Sequence, residues 1–108
     1  MTNLERAEPA RHGVPLADLQ DAILEPEMLG QLLFDVETQT ELIEILVKGG
    51  ATAQATAGVP TLAAARALLE SGSVLGVQLR YRWGGFEWWD TLVRSPGGIR
   101  LVRIQHAA

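Results

Sequence analysis

Between Leu75 and Trp83, apolar and other residues take turns without interruption. Leu75, Val77, Leu79, Tyr81 and Trp83 alternate with Gly76, Gln78, Arg80 and Arg82. A period of two marks a β-strand with one buried face. Gly84-Gly85 follows at once, and two glycines take the positive φ that the tightest hairpin turn requires. Phe86–Arg94 is then the return strand. Ser95-Pro96-Gly97-Gly98 reads as a second turn, and Ile99–Gln105 as a third strand.

The two-residue turn also sets the register. Trp83 faces Phe86, Arg82 faces Glu87, Tyr81 faces Trp88 and Arg80 faces Trp89. Leu79, Gln78 and Val77 then meet Asp90, Thr91 and Leu92. One face carries Leu75, Val77, Leu79, Tyr81, Trp83, Phe86, Trp88 and Leu92, the natural core. The other carries Gln78, Arg80, Arg82, Glu87, Trp89, Thr91 and Val93, with Arg100 and Val102 from the third strand. On it Arg80 is placed for a cation–π contact with Trp89, and Arg82 for an exposed ion pair with Glu87.

Asp90 breaks the apolar pattern of the core face, and a lone buried carboxylate is costly. A two-residue second turn puts Arg103 opposite Asp90 and resolves the conflict. A bulged turn puts Ile104 there instead.

The first half of the chain reads as helical. Leu16, Leu19, Ile23 and Leu24 share one helical face after Pro15, and Glu25-Pro26 ends that helix, while Pro26 equally fits the opening of the next. Met28, Leu29, Leu32, Leu33 and Val36 form a second stripe. Thr38-Gln39-Thr40-Glu41 reads as a capping box opening a third helix, with Leu42, Ile43, Leu46 and Val47 buried and Gly49-Gly50 as its stop. The β-branched alternation of Ile43, Ile45 and Val47 also fits a strand over Leu42–Lys48. Residues 49–60 are small and uncharged and read as a surface loop. Thr61–Glu70 is a short helix, capped by Thr61 and ended by Gly72.

These readings predict an α+β fold. Three or four N-terminal helices cover one face of a C-terminal three-stranded antiparallel meander. Residues 1–13 are expected to be a flexible tail and 14–108 a single domain, helical over 14–72 and β over 73–106.

Composition narrows the function. The 108 residues include no cysteine, which removes disulfides, thiol nucleophiles and thiolate metal sites and suits a reducing compartment. No apolar run is long enough for a bilayer and no signal peptide is legible, so a cytoplasmic protein is expected. The excess of arginine over lysine, with abundant alanine, points to a GC-rich, bacterial genome. The formal charge of −4 is unevenly spread. Residues 1–70 hold eleven acids against four bases, and residues 71–108 two acids against five arginines.

The chemistry-bearing motifs are weak. His12 and His106 have no second ligand at metal spacing. Glu41 and Glu44 lack a histidine partner. The paired glycines open no helix and so form no phosphate loop. Ser71, Ser73 and Ser95 have no strand-to-helix elbow and no nearby histidine. No metal, cofactor or catalytic group is expected. What remains is the Arg/Trp face: Arg80, Arg82, Glu87, Trp89, Thr91 and Arg100. It suits an accessory or adaptor protein that binds another protein or a second copy of itself. Binding of an anion or of single-stranded nucleic acid on the same arginines is the alternative.

Overall fold

The computed structural model describes residues 21–49 and 61–107. Strand β1 is Asp21–Leu24, helix α1 Pro26–Gln39, strand β2 Glu41–Lys48 and helix α2 Leu62–Ser71. Strands β3, β4 and β5 are Gly76–Trp83, Phe86–Ser95 and Gly98–Ala107. They form one antiparallel five-stranded sheet in the order β1-β5-β4-β3-β2.

The meander at its centre follows the pattern expected. Trp83 pairs with Phe86, Arg80 with Trp89 and Leu79 with Asp90. The second turn is also a two-residue one, so Asp90 pairs with Arg103 and Thr91 with Val102. Val77, Leu79, Tyr81, Trp88 and Leu92 are buried as predicted, joined by Leu101. Each large apolar side chain removed from water contributes roughly 1.5–3 kcal/mol before ordering entropy is counted.

Two members of the predicted core face are exposed. Leu75 is 66% exposed and Phe86 41%. Leu75 lies just before β3, where the pairing is irregular: its N–H donates to the Lys48 carbonyl and its own carbonyl accepts from Arg94. Phe86 stands at the hairpin tip, where it meets Trp88 edge-on.

The helical half departs most from expectation. There are two helices among the described residues, not three or four, and the sheet has five strands rather than three. Asp21–Leu24 pairs with Ile99–Val102 of β5 as a strand. Its burial follows strand parity, with Leu24 enclosed and Ile23 46% exposed. The rest of the predicted first helix lies outside the described residues, as do the tail and nearly all of the 49–60 loop.

The third helix is strand β2. Thr38 caps nothing: its hydroxyl donates to the Phe34 carbonyl, and that of Thr40 donates to the Val36 carbonyl, both closing the end of α1. The free edge of β3 takes Glu41–Lys48 into the ladder, with a bulge between Leu42 and Glu44. A short apolar segment fits either period, and backbone pairing to an open edge decides between them.

The other two helices match their sequence signals. Pro26 opens α1, with Leu29 N–H bonded to the Glu25 carbonyl. The Thr61 hydroxyl accepts from Ala64 N–H at 3.0 Å, and Gly72 ends α2 in the left-handed conformation. Leu29, Leu32, Leu33 and Val36 of α1 join Leu62, Ala65 and Leu69 of α2 in one core on a single face of the sheet. No described element packs on the opposite face.

Candidate functional site

The uncovered face is organised around Trp89. Arg80, directly opposite on β3, lays its guanidinium 3.8 Å from the centre of the indole ring. His106 reaches the same ring from β5, with centroids 4.2 Å apart and planes tilted by 41°. The indole N–H donates to Glu87 at 2.8 Å. Trp89 is thus held on both flanks and at its polar tip, which leaves the ring only partly buried but fixed in orientation.

Arg80 is fixed as well. Its Nε donates to Gln78 Oε1 at 2.9 Å, and the Gln78 amide donates to the Thr91 hydroxyl at 3.0 Å. Gln78 is buried among these partners. A terminal nitrogen of Arg80 stands 3.6 Å from Glu44 on β2. Gln78, Arg80, Trp89, Thr91, Glu87, His106 and Glu44 therefore form one connected patch across four strands.

Of the residues expected to form the binding face, Arg80, Glu87, Trp89 and Thr91 come together. Arg82 does not pair with Glu87. It stands 3.4 Å from Glu41, a carboxylate brought alongside only because β2 is a strand, while Glu87 is occupied by the indole. Arg100 belongs to the far margin. It grips Asp21 through two bonds, 3.1 Å from Nε and 2.8 Å from a terminal nitrogen. The guanidinium bond, more than its charge at a distance, holds the Asp21 carboxyl below its ordinary range and raises Arg100.

His106, Gln78 and Glu44 were missing from the expected site. His106 was legible: once Asp90 faces Arg103, His106 must face Glu87 and share its side of the sheet. Glu44 was not, because its place depends on β2.

Two other features lie away from this face. A cleft of about 320 Å³ opens between the start of α1 and the β4–β5 turn, lined by Leu24, Pro26, Leu29, Arg94 and Ile99. The Arg94 guanidinium there is engaged, since it donates to the Leu69 carbonyl at 2.8 Å. Asp35 of α1 is buried, with one oxygen bonded to Gln31 and the other without a partner. Among the described residues no three histidine, aspartate or glutamate side chains gather as a metal site. No helix among them is long and apolar enough to cross a membrane.

Among the described residues, two helices thus cover one face of a five-stranded antiparallel sheet and none covers the other. Comparison with protein-family models, with curated proteins and with solved structures found no match for this chain.

Proposed function

We propose that this chain is a binding module, not an enzyme, and that it grips another protein with the face around Trp89. The observation that carries this reading is the prearranged stack of Arg80, Trp89 and His106 on a sheet face left bare by every described element. Tryptophan and arginine dominate the energetics of protein interfaces. Side chains already ordered in the free protein lose little conformational freedom on docking, so more of the contact energy survives as affinity. The apolar side chains of Ile104 and Ile23 extend the patch beyond its polar centre, both about half exposed.

Charge favours a protein partner over nucleic acid. The three arginines of this face each stand beside a carboxylate: Arg80 by Glu44, Arg82 by Glu41 and Arg100 by Asp21. Phosphate binding draws on cations that shed only counterions, and here each of these three arginines already has an acidic neighbour. A cytoplasmic setting is in keeping with a chain free of cysteine.

The test compares baits. Wild type, Trp89→Ala and Arg80→Ala, each confirmed as folded by circular dichroism, are presented to extract of the source cells. Proteins held by wild type should be lost from both variants and retained by Phe34→Ala, altered on the helical side. Identical capture by all four overturns the reading. A salt-sensitive shift of labelled single-stranded RNA that Arg80→Ala abolishes would transfer the face to nucleic acid.

A further inference from the structure

Among the described residues, β2 closes the sheet on one side, pairing with β3 and with nothing beyond. The strand at the opposite end, β1, has four residues, whereas β2 has eight. A long free edge presents a row of unpaired backbone groups, a template for another strand.

The direction of those groups can be read. The Lys48 carbonyl accepts from Leu75 N–H at 3.1 Å, so it points toward β3. Backbone groups alternate sides along an antiparallel strand. Over the regular stretch after the bulge, Glu44, Leu46 and Lys48 therefore bond inward, and Ile45 and Val47 turn their N–H and C=O outward. Side chains alternate between faces with the same period. Ile45 and Val47 belong to the core, while Glu44, Leu46 and Lys48 lie opposite Arg80, Gln78 and Gly76 on the open face.

We propose that β2 pairs antiparallel with β2 of a second copy, with Leu46 on the two-fold axis. In this register Ile45 of each copy faces Val47 of the other, and every outward group of both residues finds a partner. Glu44 of each copy faces Lys48 of the other, twice over, on the open face. Leu46 meets its own counterpart between the two ion pairs. Other registers lose this match. Centring on Glu44 opposes like charges, and centring on Ile45 or Val47 sets a charged side chain against Leu46. A slip of one residue turns the core face of one copy to the open face of the other. Charged residues on an edge ordinarily discourage pairing, but these two, of opposite sign and four positions apart, leave one register favourable.

The consequence reaches the face above. The axis stands perpendicular to the sheet, so both bare faces lie on the same side of one continuous sheet. Glu44 then contacts both Arg80 of its own chain and Lys48 of the neighbour. The pairing stands independently of whether Trp89 binds another protein.

The experiment is sedimentation of the full chain over a range of concentrations. Wild type should associate reversibly to dimers. Lys48→Glu or Glu44→Lys alone brings like charges together at two symmetric points and should weaken association about tenfold or more. An equimolar mixture of the two variants should recover it, because lysines of one chain then face glutamates of the other. Leu46→Cys, in a chain with no other cysteine, should form a disulfide-linked dimer on mild oxidation, and Thr61→Cys should not. A monomeric wild type at every concentration overturns the proposal. So does a mixture that fails to recover association, or a dimer that falls with Trp89→Ala and ignores both edge charges.

Discussion

Arg103 holds Asp90 by both carboxylate oxygens, Nε to Oδ1 and a terminal nitrogen to Oδ2, each at 2.8 Å. Both side chains are closed off from solvent. The Tyr81 hydroxyl donates to the same Oδ2 at 2.9 Å. Three central strands thus meet in a polar knot within an otherwise apolar layer. Arg103 stays firmly charged: burial works against its proton, but the hydrogen bond and charge of Asp90 outweigh that and raise it above its ordinary value.

Breaking this pair from one side strands a charge in the core. Arg103→Met should cost about 3–5 kcal/mol in urea unfolding. The double variant Arg103→Met with Asp90→Leu should lose less than either single change implies, since no ion is left unpaired. A single variant within about 1 kcal/mol of wild type would show that water reaches the pair.

Tyr81 is the sole tyrosine, so its ionisation can be followed by ultraviolet absorbance alone. Burial first, and then the charge of Asp90, push its phenol far above the ordinary 10.0. The sign follows. The folded state keeps a proton that the unfolded chain gives up near that ordinary value. The contribution to stability is whole below it and declines as pH climbs past it. Tyrosinate absorbance should appear only together with loss of the circular dichroism signal. A folded protein that ionises at the ordinary value would contradict the buried geometry.

Gly76 is a packing requirement of the sheet. A Cβ there would stand 2.7 Å from the Leu92 carbonyl oxygen, a backbone atom in a central strand that has no room to yield. Gly76→Ala should cost about 1–3 kcal/mol in thermal unfolding, as overpacking does. Gly30→Ala is the contrast. Its Cβ would meet only the tip of the Arg66 side chain, 3.1 Å away, and alanine favours the helix. That variant should be neutral or slightly stabilising.

The hairpin was legible because its information is local. Gly84-Gly85 fixes Arg80 beside Trp89 through a turn of adjacent residues, whereas the third strand stayed open between Arg103 and Ile104 opposite Asp90 until the two-residue second turn chose Arg103. The misread parts share another cause. Asp21–Leu24 and Glu41–Lys48 are short and apolar enough to satisfy either period, and their partners lie far along the chain. Arg82 was assigned to Glu87 for the same reason, since Glu41 entered the picture only with β2.

By itself the sequence determined a hairpin, its register, and the sorting of neighbouring Trp88 and Trp89 to opposite faces, because alternation and a two-residue turn act between nearby residues. Tertiary structure decided which segments became the outer strands. The bare edges of β3 and β5 demand hydrogen-bond partners, and no local preference of Asp21–Leu24 or Glu41–Lys48 records that demand.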